Sequence, residues 1–215
     1  DFGKQDIARG MWVVDPALAM PLTRFQGELR VPAGQAAVKH LQTVHVHLGA
    51  EDIMGRVALL DCAEALPGSP CVPGNPLRGQ ATALVEILLE RETLALRGDR
   101  FVLRDAGAQR SVAGGRVLDI FPPTRHKRSA ERLALLAALR EDDPLPALAI
   151  LAGQAVAGVD LGRFALAWNL TESDAEALWA RAGLKQIRDG ELRLGFAAAG
   201  WDALAQRLLD ALARE

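Results

Sequence analysis

The first 123 residues alternate between short apolar stretches and turn residues, a pattern that is typical of antiparallel strands. In 44-VHVHL-48, the apolar residues share one face of a strand and the two histidines occupy the other. The predicted strands are 11–14, 25–31, 43–48, 54–60, 82–89, 101–104 and 116–120. Short strands at this spacing predict a closed or nearly closed barrel, because closure removes exposed strand edges.

Glycine and proline mark two interruptions of this pattern. Gly114 and Gly115 fall inside an apolar stretch, where we expect a bulge or a sharp bend. The stretch 61–80 contains four prolines and three glycines, which predicts a long surface loop. Cys62 and Cys71 lie in it without a second cysteine pair for a zinc site, and we expect reduced thiols rather than a disulfide.

The apolar pattern changes its period after the double proline Pro122-Pro123. A basic cluster follows at 125–128, and Ser129 is a suitable N-cap for a helix. We therefore predict a domain boundary at about 122–128.

The C-terminal third is predicted to be mostly helical. Thr171 and Asp174 form a capping pair, and Gly183 ends the helix that they begin. The predicted order is a helix at 130–140, a helix at 145–153, a helix after Asp160, a helix at 172–182, a hairpin at 185–196 and an amphipathic helix at 199–215. Helices followed by such a hairpin are typical of a winged helix-turn-helix, and the final helix looks like the start of a further unit.

Composition indicates a globular protein, since half of the 215 residues are apolar and no apolar run reaches the ~18 residues of a membrane span. The chain begins at Asp1 without a secretory leader, and we expect a piece of a longer cytosolic protein. The net charge is −2, but residues 97–132 hold nine basic and four acidic side chains. This local excess suits limited phosphate contact, and equally a solvated charged face.

Catalytic motifs are absent from the sequence, which has no P-loop, no nucleophile elbow and no zinc-protease motif. His45 and His47 share a strand face as metal ligands would, but no third ligand stands near them in sequence. We therefore expect exposed strand histidines, and neither a catalytic site nor a cofactor in this chain.

Arginines in 97–120 are the most informative residues for function. Arg100, Arg104, Arg110 and Arg116 are interleaved with apolar strand positions, and guanidinium groups suit phosphate. We expect some of them to contact phosphate and others to pair with the aspartates of the same segment.

The sequence of the winged helix argues against recognition of duplex DNA. Its predicted second helix begins with Glu172, Asp174 and Glu176, at the end that would meet a DNA groove. A spacer or partner-contact role is therefore favoured over direct nucleic-acid recognition.

These residues carry a family resemblance. The run 98-GDRFVLRD-105, followed by 111-SVAGGRVLDI-120 and the double proline, resembles the third domain of the bacterial selenocysteine-specific elongation factor. It is more distantly similar to the third domain of elongation factor Tu. Further similar stretches are 44–60 and 79–99 in the same domain, 6–14 as the last strand of the second barrel, and 122–139 with the helix-turn-helix and hairpin as the first winged helix.

The resemblance implies a multi-domain β and α protein in which an antiparallel β-barrel, similar to elongation factor Tu domain III, precedes a winged-helix domain. The implied domains are the end of the second barrel at 1–20, the third barrel at 21–123, a winged-helix domain at 124–196 and the first helix of a following winged helix at 197–215.

The resemblance also implies a role in delivering selenocysteyl-tRNA to the ribosome at UGA codons in the cytoplasm. GTP and magnesium would bind a GTPase domain that this chain lacks, and the selenocysteine-insertion mRNA hairpin would bind later winged helices. Expected partners are selenocysteyl-tRNA, the ribosome, the GTPase domain and, through the missing domains, the mRNA hairpin, with no membrane. The matching glycine-rich turn assigns tRNA backbone contact to Arg104, Asp105, Gly107, Gln109 and Arg110.

Two other functions stay open. A DNA-binding regulator would use the winged helix as its reader, and a protein-interaction module would dock another domain on the barrel. A measurement of binding to duplex DNA would distinguish the DNA-binding regulator from an RNA-handling protein.

Overall fold

The computed structural model describes residues 3, 10–62, 76–77 and 81–213. The chain divides into two compact units, Asp1–Ser129 and Ala130–Glu215. Cys71, the side chain of Cys62 and most of the predicted loop at 61–80 lie outside the described residues.

Antiparallel strands form the first unit. Among the described residues they are β1 (Leu22–Arg30), β2 (Gln42–Leu48), β3 (Glu51–Cys62), β4 (Thr82–Thr93), β5 (Arg100–Arg104) and β6 (Ser111–Asp119). The strands follow the order β1-β4-β3-β2-β5-β6 around the barrel, and β6 pairs with β1 to close it. The predicted closed antiparallel barrel is confirmed, and each of its strands has two neighbours.

The barrel core follows from strand alternation. Phe25 and Leu29 on β1, and Phe101 and Leu103 on β5, point inward and are at most 1% exposed. The rings of Phe25 and Phe101 meet edge to face with centroids 5.3 Å apart. Burying each such side chain contributes about 1.5–3 kcal/mol, so the inward faces stabilise the fold and the outward faces are left for binding.

The bulge or bend predicted at Gly114-Gly115 does not lie at the glycines, because the register of β6 against β5 shifts just before them, between Ser111 and Ala113. Strand β6 runs through both glycines in regular register with β1, where Gly115 pairs with Leu29. A Cβ at Gly115 would lie 2.4 Å from the Phe101 ring and 2.3 Å from the Glu28 carbonyl oxygen. Glycine is needed there because the ring and the neighbouring backbone approach the strand closely, and the chain need not bend.

The strand predicted at 11–14 is also wrong, because this stretch has no regular structure. The closed barrel has no free edge on which a further strand could pair. Instead, the Trp12 indole Nε1 donates a 2.8 Å hydrogen bond to Glu51, and its ring covers Gly49. A short 3-10 helix at Pro16–Leu18 then leads into β1.

The segment after β6 is fastened to the barrel. Its contacts are Arg24 Nη2 to the Pro122 carbonyl at 3.0 Å, Lys127 Nζ to the Glu86 carboxylate at 2.8 Å, and Arg128 Nε to the Leu60 carbonyl at 2.9 Å. Glu86 is only 1% exposed, so its pair with Lys127 is held mostly away from water. Lys127 and Arg128 of the basic cluster at 125–128 therefore bind groups within the barrel unit.

The second unit is helical with a small sheet. Its elements are α1 (Ala130–Ala138), α2 (Leu145–Gln154), β7 (Val159–Asp160), α3 (Leu161–Ala167), α4 (Glu172–Ala182), β8 (Lys185–Asp189), β9 (Leu192–Phe196) and α5 (Ala198–Leu212). The sheet has the order β7-β9-β8. This is the arrangement of a winged helix, as predicted. No helix in the described ranges is long and apolar enough to span a membrane.

Local sequence signals set the ends of α3 and α4. The Asp160 carboxylate accepts a hydrogen bond from the Arg163 amide, and the Thr171 hydroxyl accepts one from the Asp174 amide. Gly183 ends α4 in the left-handed conformation at φ 60°. Aromatic rings then join the two helices, since Phe164 meets the Trp179 ring edge to face at 5.8 Å.

Candidate nucleic-acid interface

All five predicted contact residues lie together at the hairpin that joins β5 to β6. We call residues 104–110 the hairpin loop. The Asp105 amide donates to the Arg110 carbonyl at 3.0 Å, and the Ala108 amide donates to the Asp105 carbonyl at 2.8 Å. Ala108 has a positive φ of 51°, which tightens the turn.

The Asp105 carboxylate organises the hairpin loop. Its Oδ1 accepts hydrogen bonds from the Gln109 amide at 2.8 Å and from the Arg110 amide at 3.2 Å. The Arg110 and Gln109 amides lower the pKa of the Asp105 carboxyl below its ordinary value, and the charges of Arg104 and Arg110 lower it further. The carboxylate is thus ionised at neutral pH and occupied by the backbone of the loop.

The other members of the hairpin loop face outward. Gly107, Gln109 and Arg110 are exposed, while Arg104 is half-buried and donates from Nη2 to the Gln109 carbonyl at 3.3 Å. The loop therefore presents one exposed guanidinium, one amide side chain and a side-chain-free glycine on a hydrogen-bonded frame. Such a surface can bind phosphate oxygens without reading bases.

The remaining predicted arginines lie on the outer barrel wall. Arg100 on β5 pairs across the sheet with Arg116 on β6, which in turn pairs with Glu28 on β1. Arg116 Nη2 lies 3.9 Å from the Glu28 carboxylate, so this arginine reaches an acid of another strand. Sequence reasoning missed Arg30, which lies two positions after Glu28 on the same strand face.

The two strand histidines lie beside an acid of the next strand. His45 Nδ1 is 2.8 Å from Asp52 Oδ1, and His47 Nε2 is 3.9 Å from the same oxygen. His45 also pairs across the sheet with Arg104. The described ranges hold no group of three or more His, Cys, Asp or Glu side chains that could bind a metal ion.

The wing of the helical unit neutralises part of the acidic helix. Glu176 on α4 binds Arg193 of β9 through both carboxylate oxygens, with one distance of 2.7 Å, and lies 3.8 Å from Arg188 of β8. The hydrogen bonds from Arg193 lower the pKa of Glu176, and the charges of Arg193 and Arg188 lower it further. Two wing arginines are therefore engaged by the helix that would enter a duplex groove.

Similarity to known proteins covers both units. Residues 27–124 match the family model of the selenocysteine-specific elongation factor, beta-barrel domain. The selenocysteine-specific elongation factor of Escherichia coli (strain K12) is 29% identical over 214 residues, which are 99% of this chain and 30% of that protein.

Two further relatives carry the same name. The protein of Haemophilus influenzae is 29% identical over 139 residues, which are 65% of this chain and 20% of that protein. The protein of Desulfomicrobium baculatum is 26% identical over 152 residues, which are 69% of this chain and 22% of that protein. The chain thus spans at most 30% of the length of these relatives. The chain is therefore homologous to a segment of the selenocysteine-specific elongation factors, and its residues 27–124 match their β-barrel domain.

Proposed function

We propose that this chain is the RNA-handling part of a factor that delivers selenocysteyl-tRNA to the ribosome at UGA codons in the cytoplasm. The barrel contacts the tRNA backbone, and the winged helix acts as a spacer toward domains that bind the selenocysteine-insertion mRNA hairpin. The names of the three relatives and the match of residues 27–124 support this role.

The hairpin loop is the observation that carries the tRNA contact. Its frame is closed by backbone hydrogen bonds and by Asp105. Among the residues that the structure describes, no acidic side chain holds the exposed Arg110 guanidinium in an ion pair. Gly107 has no side chain to obstruct an approaching sugar-phosphate backbone. In this arrangement Arg104, Gln109 and Arg110 supply donors, and Asp105 positions them.

The proposal gives this chain no catalytic step. The sequence has no P-loop, so GTP and magnesium have no fitting residues here and belong to the GTPase domain of the complete factor. Binding by this chain alone rests on phosphate contacts, which are independent of sequence and sensitive to salt.

Substituting Arg110 with alanine tests the tRNA contact. Removing one phosphate contact should weaken binding of a fluorescein-labelled selenocysteine tRNA transcript and flatten the logarithmic salt slope by about one unit. Fluorescence anisotropy titrations at several salt concentrations measure both quantities.

The matched control is Arg56→Ala, on strand β3, where the arginine is also exposed. It should leave the affinity and the slope unchanged. If Arg110→Ala behaves like this control, Arg110 does not contact the tRNA and the hairpin loop is not the interface.

A further inference from the structure

The small sheet of the helical unit has an uncovered edge strand. In the order β7-β9-β8, strand β8 has a neighbouring strand on one side only. All five of its residues, Lys185–Asp189, are exposed, and Ile187 among them is 39% exposed. An edge strand with open backbone groups can pair with a strand of another chain unless its side chains prevent it.

The hairpin fixes which backbone groups of β8 face the open edge. Asp189 closes a two-residue loop into β9, and in such a hairpin the closing residues exchange backbone hydrogen bonds. Because hydrogen-bonded and non-hydrogen-bonded pairs alternate, Ile187 and Lys185 also bond to β9. The amide and carbonyl groups of Gln186 and Arg188 therefore point away from β9, and no residue in the described ranges binds them.

The side chains of β8 are complementary to those of an antiparallel copy of the same strand. A pairing centred on Ile187 places Lys185 of one copy opposite Asp189 of the other, at both ends of the strand. A parallel pairing would instead place Lys185 opposite Lys185. Within the part of the chain that the structure describes, neither Lys185 nor Asp189 has an ion-pair partner. The antiparallel copy would supply one to each.

The open backbone groups require the same register. A pairing centred on Ile187 places Gln186 opposite Arg188 of the second copy, and the reverse. Residues that form a hydrogen-bonded pair exchange N–H to O=C bonds in both directions, and these two residues are the ones whose groups face the edge. Charge and backbone geometry therefore select one and the same alignment of the two strands.

We propose that β8 is a self-association site, at which two copies of this chain pair their β8 strands antiparallel about Ile187 and join their three-stranded sheets into one. A second copy is favoured over an unrelated peptide because the strand is complementary to itself, as the two-fold axis of a symmetric dimer requires. Five residues form a small interface, so the dimer is weak and reversible. The site goes beyond the proposed function and does not depend on tRNA binding.

The first experiment measures association of the wild-type chain between about 10 µM and 1 mM by sedimentation equilibrium, with residue-resolved amide hydrogen exchange at both limits. The amides of Gln186 and Arg188 should become protected as the concentration rises. The Ile187 amide, which β9 already binds, should exchange at the same rate throughout.

Two outcomes of this experiment would overturn the proposal. One is a chain that stays monomeric over the whole concentration range. The other is association that leaves the amides of Gln186 and Arg188 unprotected, because the copies would then meet through another surface, such as the exposed leucines 208, 209 and 212 of α5.

Charge exchange at the two ends of β8 tests the register. Lys185→Asp places two aspartates opposite each other at each end, and Asp189→Lys places two lysines there. Each variant alone should therefore self-associate about tenfold more weakly than wild type. An equimolar mixture of the two variants should associate as strongly as wild type, because every aspartate then faces a lysine.

The control is Glu191→Ala, which removes a charge from the loop of the same hairpin and should leave association unchanged. Slow exchange of the Ile187 amide shows that β8 still pairs with β9 in each variant. If either charge variant associates like wild type, or if the mixture stays monomeric while this amide remains protected, the strands do not pair as proposed and the site is refuted.

Discussion

The turns on either side of β5 and the wing of the helical unit use their carboxylates in different ways. At the two turns, Asp99 and Asp105 accept hydrogen bonds from backbone amides. In the helical unit, Glu176 accepts hydrogen bonds from Arg193. A carboxylate that holds a turn leaves neighbouring guanidiniums for a ligand, whereas one that binds an arginine neutralises it. The partners of the acids therefore decide which of two arginine-bearing regions can bind a polyanion.

Glu51 lies elsewhere in the barrel and binds side chains instead of a turn, and changing it has the largest expected effect. It is 8% exposed and binds Trp12, Thr93 and Arg91. Burial raises its pKa, but the hydrogen bonds from Thr93, Arg91 and Trp12 lower it below 4.5 overall. Glu51→Gln should cost about 1–3 kcal/mol in the free energy of unfolding at pH 7, because an amide replaces an acceptor of several donors.

The lowered pKa of Glu51 predicts the direction in which the stability difference between wild type and Glu51→Gln changes with pH. A lowered pKa in the folded state stabilises the fold above the unfolded value of 4.5, and this contribution is lost as the pH falls through the folded pKa. The stability gap between wild type and Glu51→Gln, measured by urea unfolding, should therefore shrink below pH 4.5. The exposed Glu90→Gln serves as control, and a gap that stays constant with pH would show that Glu51 acts through packing.

Asp105→Ala sharpens the comparison at the hairpin loop. If the carboxylate only repelled RNA, its removal would tighten binding. Because it holds the Gln109 and Arg110 amides, we expect the variant to weaken tRNA binding about fivefold, as when one ordered contact is lost. Glu90→Ala removes an equal charge elsewhere on the barrel and is the control in the same anisotropy assay. Tighter binding by Asp105→Ala would refute the positioning role.

Glu176→Ala has the smallest expected effect and tests the comparison in the helical unit. It should release Arg193 and Arg188 of the wing, and thereby steepen the salt slope of RNA binding by less than one unit. The thermal midpoint should change little, because the pair is exposed. Glu191→Ala removes a wing charge without releasing an arginine. Equal slopes in the two variants would mean that Glu176 does not restrain the wing.

The barrel is predictable from sequence because its signals are local. Alternating apolar positions define the strands, and the need to cover strand edges implies closure. The two errors have a tertiary origin. Nothing near Gly115 in sequence reveals that the Phe101 ring will press on it, and nothing near Trp12 reveals that Glu51 will bind its indole.

In the candidate interface, too, contacts between sequence neighbours are predictable and contacts made by the tertiary fold are not. Arg104 and Arg110 flank one short turn, so sequence proximity alone places them together. Arg30 joins Arg100 and Arg116 only through the register of β1 against β6, which depends on the whole barrel. The sequence signal for Arg30 is its outward position in an alternating strand, and many surface residues share that position.

The fastened segment after β6 has a mechanical consequence. Since Pro122, Lys127 and Arg128 bind groups on β1, β4 and β3, a pull on the chain at Ser129 loads three strands at once. Without these contacts, the same force would peel β6 from its neighbours one hydrogen bond at a time. The barrel can therefore bear tension from whatever the chain tethers while β5 and β6 keep their register.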